Sequence, residues 1–415
     1  MAIDPEELKR RRAQRQQQRQ AQQRKTIVRL VIAGIAVVLC GILVFSLVAA
    51  ANKKPGSNTQ PPVSDSETGE QSSRTVIRLA AVGDLNITEA VVDSGGANHD
   101  YTNTFLDVAH LLADADVTTV NFEGNLYGPP YGTDRSAPQS MAEALSAAGV
   151  DLVQLANSYS IYKGMEGLAE TFSGIRLAGM EPLGVYASAS DARERKGYTI
   201  CDVQGVKIAF VAFTKGMDGM ALPPGNEGCV NVLYADYSTD YQTVDTPGIS
   251  KVLDAVAKEN PDVTVALLHW GSEFNNNVSQ SQQDICTLMQ AKGVDAIIGT
   301  HSHYVQKMEY DPAAGTFVAY SLGDFLGDAQ RAGSEYSVVL NLEITKDNAT
   351  GQTKITGFEY TPIFTVAEED KPLRVVRLRE AMTAFESGYI DKVSQQTYDA
   401  MAYAMERIEA RINGK

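Results

Sequence analysis

Three of the five histidines of this 415-residue chain fall into two short motifs. His269 closes the apolar run VTVALLH, and His301 and His303 follow DAIIGT with one residue between them. Polar groups at the carboxyl ends of buried strands stand where an open α/β sheet builds its ligand sites. Residues two apart in an extended chain project to one face, so His301 and His303 can address one centre or two adjacent ones. Asp84 ends AAVGD and Glu123 ends VNFE, each beside a glycine that permits a tight turn, and Asn157 follows DLVQLA. Carboxylate oxygens with imidazole nitrogens form a donor set for zinc, manganese or iron, and in hydrolytic centres such sets hold two ions about 3.5–4 Å apart. Singly, each residue has a plainer reading, because Asp and Asn favour turns and helix caps and a lone His-x-His is more often structural. Five such strand ends in one chain favour convergence. His99 and His110 read as structural or surface residues, Trp270 as a packing anchor, and Asp324 and Asp328 as turn residues.

The elements that must position these groups follow from period and composition. Runs rich in Val and Ile predict strands at 75–83, 117–122, 151–156, 198–203, 206–213, 263–270, 295–300, 316–323, 336–345 and 353–364. Helical spacing predicts helices at 103–113, 139–148, 165–179, 249–259 and 279–292, then 374–386 and 394–412. Strands alternating with helices indicate a layered α/β domain. Gly and Pro between 214 and 247 suggest an irregular excursion, a candidate mobile flap over the site.

Charge is unevenly distributed. Residues 1–25 carry eight Lys/Arg against three Asp/Glu, and residues 52–415 carry 27 against 48. A body with a net charge of −21 excludes nucleic acid as its natural partner. Between these parts lie 22 residues without a charge, Leu30 to Ala51, which as a helix would span about 33 Å and cross a bilayer. The preceding basic cluster predicts a cytoplasmic N-terminus and an external body. A cleaved signal peptide is the competing reading, but the run exceeds a signal core of about 7–15 residues. The expected organisation is a basic cytoplasmic tail (1–29), a transmembrane helix (30–51), a flexible linker rich in Pro, Gly and Ser (52–74), a main domain (75–366) and C-terminal helices (367–415). Cys40, Cys201, Cys229 and Cys286 are too scattered for a zinc finger. A Cys201–Cys229 bridge is open, with buried free thiols the preferred reading.

From about Val76 to Asp328 the chain resembles the bacterial CapA family of poly-γ-glutamate capsule proteins, whose domain is similar to a calcineurin-type metallophosphoesterase. The stretches that carry the resemblance are VGD (82–84), VNFEG (120–124), LANSYSIYKGMEGLAET (155–171), LLHWGSEF (267–274), GTHSHYVQ (299–306) and YSLGDF (320–325). It implies an α-β-β-α sandwich and a metal cluster of Asp84, Glu123, Asn157, His269, His301 and His303, with Glu273 at its rim. The implied cofactors are divalent ions, one or two of manganese, zinc or iron. The implied partners are the lipid bilayer, membrane polymer-synthase subunits and an anionic polymer or small-molecule substrate. The chain departs from the family where Asn-Asn-His becomes Asn157-Ser158-Tyr159, so Tyr159 stands where a proton-transfer histidine is expected. The following Asp is also missing, and the usual Asn of YSLGNF is Asp324. Two readings stay open: a metal-dependent hydrolase in synthesis, export or anchoring of a capsular polymer, and a non-enzymatic accessory protein with a degenerate site. A secreted phosphoesterase unrelated to capsules is a third.

Overall fold

In a computed structural model, the structure describes residues 2–3, 73–329, 331–369, 371–389 and 393–414. The expected membrane run and nearly all of the basic tail and linker lie outside the described residues, of which no helix is long and apolar enough to cross a membrane. The described residues form one compact unit.

The described strands are β1 (Ala2–Ile3), β2 (Arg74–Asn86), β3 (Val117–Glu123), β4 (Leu152–Gln154), β5 (Glu181–Leu183), β6 (Tyr198–Val203), β7 (Val206–Thr214), β8 (Val263–His269), β9 (Ala296–Thr300), β10 (Met308–Asp311), β11 (Thr316–Ala319), β12 (Asp324–Leu326), β13 (Tyr336–Asp347), β14 (Thr353–Val366) and β15 (Arg374–Arg377). They form two mixed sheets, ordered β1-β6-β7-β8-β9-β11-β10 and β15-β14-β13-β2-β3-β4-β5, with β12 added to β2. β2, β3, β4 and β5 run parallel, as do β7, β8, β9 and β11. Every residue of β3, β8 and β9 is buried. This is why β8 and β9 read as nearly continuous apolar runs rather than as alternating ones.

Period-2 alternation divides each strand between two interfaces. In β7, Ala209, Val211 and Phe213 pack with Ile249, Leu253 and Val256 of the helix Thr246–Lys258 and with Ile285 and Met289 of the helix Gln280–Ala291. Ile208, Phe210 and Ala212 face the other way and are also buried. On the second sheet, Val120, Phe122 and Val153 pack with Met141 and Leu145 of Gln139–Ala148 and with Leu168, Phe172 and Ile175 of Gly164–Leu177. The sheets touch through β2 with β9, β5 with β7, and β11 with β14. Each sheet therefore carries helices on one face and meets the other sheet on its opposite face.

Several expectations are corrected. The segment 103–108 is turns, and only Ala109–Ala113 is helical. The predicted helix 374–386 begins as strand β15, paired antiparallel with β14, and turns helical at Leu378. Its Arg-Val-Val-Arg opening places Val375 and Val376 in buried positions, which a β-branched pair fills well on a pleated edge. The excursion at 214–245 is irregular yet packed, since Met217, Cys229 and Leu233 are fully buried. Cys201, Cys229 and Cys286 are buried and form no disulfide.

Candidate metal centre

The site lies where the carboxyl ends of β2, β3, β8 and β9 meet. β2 reaches it because Gly83 has no side chain: a Cβ there would sit 1.8 Å from the Gly323 carbonyl oxygen. The close approach lets Asp84 N–H donate to that oxygen at 3.0 Å and sets Asp84 beside Asp324 of β12. On β3, Asn121 and Glu123 share a face. Asn121 Nδ2 donates to Asp84 Oδ1 at 2.6 Å and to Glu123 Oε1 at 3.1 Å, holding the two carboxylates together.

The histidines arrive from the other sheet. His269 Nε2 accepts from the Ser158 N–H at 3.2 Å, so in the neutral ring Nδ1 carries the proton and faces Glu123 Oε1 at 3.1 Å. His301 and His303 do not continue β9 as extended chain. Their φ angles are 87° and 58°, in the left-handed region that non-glycine residues rarely occupy and that concentrates at functional sites. His301 N–H donates to Asp84 Oδ2 at 2.9 Å, and its ring lies 4.3 Å from that of His269. Both of its ring nitrogens are buried without a hydrogen-bond partner. His303 Nδ1 lies 2.7 Å from Asp324 Oδ1, and its ring lies 5.0 Å from that of Phe274 at a tilt of 30°.

Two three-residue groups result, Glu123–His269–His301 and Asp84–His303–Asp324, each with ligand atoms within 4.8 Å of one another. Five of the six expected metal ligands converge in them. Asn157 stands one layer behind: its Nδ2 donates to Asn121 Oδ1 and the Phe122 carbonyl, and its Oδ1 accepts from the Tyr159 N–H. The turn-residue reading of Asp324 is corrected, because it is buried and bonded to His303. Glu273 is exposed at the rim, close enough to raise the pKa of Tyr159. The sequence reading also missed Asn121, two residues before Glu123 and so on its face, and Lys215, whose Nζ donates to the Gly271 carbonyl at 2.9 Å.

Electrostatics fit the binding of a cation. Burial raises the pKa of Asp84 and pushes that of Glu123 well above the carboxylate range, helped by Asp84. Burial likewise raises Asp324 to about 7. His269 and His301 are held well below 6.5 by burial and are neutral, the form that ligates metal. Burial opposes the charge on His303, but Asp324, Glu123 and Asp84 outweigh it and raise its pKa to about 10. Three buried carboxylates thus face one cationic side chain within the cluster. Buried charge is costly unless paired or bound to metal. The orphaned nitrogens of His301 and the mixed N/O donor set fit manganese, zinc or iron.

Tyr159 departs from the role of a proton-transfer group. Its hydroxyl receives a hydrogen bond from Arg135 Nη2 at 2.8 Å, and burial pushes its pKa up to about 12.

Comparison with known proteins gives the lineage. The chain is 26% identical over 301 residues to the PGA biosynthesis protein CapA of Bacillus subtilis, covering 70% of this chain and 72% of that protein. It is 25% identical over 285 residues to the capsule biosynthesis protein CapA of Bacillus anthracis, covering 66% and 65%. Among solved structures, it is similar to a calcineurin-like phosphoesterase of Bacillus subtilis at 14% identity and a TM-score of 0.44, covering 82% of this chain and 98% of that one. A phosphatase of Mycoplasma pneumoniae matches at 14% and 0.43, covering 70% and 94%. The sequence profile of the bacterial capsule synthesis protein family PGA_cap matches residues 78–329, and the chain belongs to that family.

Proposed function

We propose that the chain works in making a capsular polymer such as poly-γ-glutamate, as a metal-dependent hydrolase of phosphoester or acyl groups. Membership of the capsule synthesis family supports the polymer role. The observation that carries the chemistry is the pair of unpartnered His301 ring nitrogens among three buried carboxylates. Asp84, Glu123, His269, His301, His303 and Asp324 would hold one or two divalent ions, with Asn157 bracing Asn121 behind them. A bound divalent ion polarises a phosphoryl or acyl oxygen and favours attack by water. The chain's own part is positioning: Ser158 fixes the His269 ring, and Asn121 keeps Asp84 and Glu123 together.

The accessory reading is favoured by one observation, that Tyr159 is bonded to Arg135 and keeps its proton at neutral pH. In either reading, an anchor at 30–51 with the domain outside the cell beside the polymer-synthase subunits requires Ala2 and Ile3 to leave their pairing with β6. The deciding assay loads full-length chain with Mn²⁺ or Zn²⁺ and offers nitrophenyl phosphates and γ-glutamyl oligomers. Hydrolysis above that of the His301→Ala/His303→Ala double variant supports the enzyme. Metal-loaded wild type no faster than the double variant leaves the accessory role.

A further inference from the structure

Arg135 belongs to the loop between β3 and the helix Gln139–Ala148, and its placement is heavily determined. Asn125, two residues after Glu123, donates its N–H to the Arg135 carbonyl at 2.8 Å, and its Nδ2 donates to the Asp134 carbonyl at 2.8 Å. Gly124 makes room for this: a Cβ there would meet the Arg135 carbonyl oxygen at 2.8 Å. Arg135 itself takes a φ of 59°, an unfavourable backbone for a long side chain.

The guanidinium is as firmly held as the backbone. Nη1 donates to Asn86 Oδ1 and, at 3.2 Å, to the Ile87 carbonyl. Nη2 donates to the Tyr159 hydroxyl, and Cζ lies 4.4 Å from the centre of the Tyr159 ring. A guanidinium has five N–H donors, and these bonds use three. The Nε–H and one Nη2–H have no partner among the described residues. An arginine serving only to tie the loop would not be expected to keep a held fork with two donors open. Its charge also reaches the cluster, since Arg135 lowers the pKa of Glu123.

We infer that Arg135 is the oxyanion-binding residue of the metal site, receiving a phosphoryl or carboxylate group of the substrate on its open donors, and that Tyr159 positions it. The inference rests on the metal-centre reading. It gives the departure at position 159 a purpose: a tyrosine offers a hydroxyl acceptor and a flat face to a guanidinium. A planar fork suits both anions bidentately, which a lysine cannot reproduce. Lys215, half-buried near His269 and His301, adds a second positive charge, while exposed Glu273 opposes it.

The test titrates inorganic phosphate and, separately, glutarate into full-length chain loaded with Mn²⁺, with metal content measured on every sample. Arg135→Ala should weaken binding roughly tenfold to a hundredfold, the range for losing charge-assisted hydrogen bonds. Arg135→Lys should recover only part of that loss. Tyr159→Phe, which keeps the ring and loses the acceptor, should weaken binding by about three- to tenfold at unchanged metal content. A loss confined to phosphate assigns a phosphoryl group, and a loss confined to glutarate assigns a carboxylate. Equal binding by wild type and all three variants, or no binding of either anion by wild type, overturns the inference. A role in loop stability alone would lower the melting temperature of Arg135→Ala and leave its anion affinity intact. If that variant does not fold, Arg135→Lys and Tyr159→Phe decide. A chain that takes up no metal overturns the metal-centre reading instead, and the same titrations on it still show whether Arg135 carries anion binding.

Discussion

His301 is held by its backbone while its ring is left open: its N–H is bonded to Asp84, and both ring nitrogens are without partners. An ion entering there finds both ring nitrogens of neutral His301 without partners, whereas at His269 it must displace the Nδ1 proton that faces Glu123. It must compete with protons on Glu123, on Asp324 with its pKa near 7, and on His303 with its pKa near 10. Metal affinity therefore rises with pH, by roughly tenfold per unit for each proton displaced. Mn²⁺ titrations followed by electron paramagnetic resonance at about pH 6, 7 and 8 should show this rise, and a flat or falling profile would contradict it. The sign for stability agrees. Because the Asp324 pKa is raised on folding, its contribution to the metal-free protein is fully present below the unfolded value and is lost as pH climbs through about 7. The increment that a metal ion adds should grow over that window.

At the scale of elements, the approach of β2 to the turn before β12 does most to build the site. Gly83→Ala would force a methyl into the Gly323 carbonyl, and overpacking of this kind typically costs about 1–3 kcal/mol. Chemical denaturation should report that loss, and bound metal should fall with it because Asp84 moves. A variant of wild-type stability and metal content would show that the two backbones can part freely. β12 was also the part of the site least legible beforehand. Buried strands such as β8 and β9 announce themselves by Val, Leu and Ile, and the histidines at or just beyond their ends were found. Three- and four-residue strands such as β5, β10, β12 and β15 are too short to display a period. Asp324, inside one of them, read as a turn. Arg135 could not be found by any pattern, because its position depends on a left-handed backbone and on bonds to residues 24 and 49 positions away.

At the scale of the whole molecule, strand β1 and the proposed membrane run make opposite demands on the chain. Ala2 and Ile3 pair in parallel with Ile200 and Cys201 of β6. An apolar run 30–51 that spans a bilayer would put those two residues on the opposite side from the domain, so the two arrangements exclude each other. Protease added to intact cells should remove the body and leave an anchored fragment if the run spans the membrane. A body digested only after lysis would refute the anchored, external topology. If the convergence of the two sheets builds a metal centre, the purified chain carries metal. Elemental analysis of purified full-length chain tests it most directly. Wild type should carry near-stoichiometric manganese, zinc or iron, and the His301→Ala/His303→Ala variant should lose it while keeping its far-ultraviolet circular dichroism. Wild type that purifies without metal and ignores added Mn²⁺ and Zn²⁺ would contradict the account.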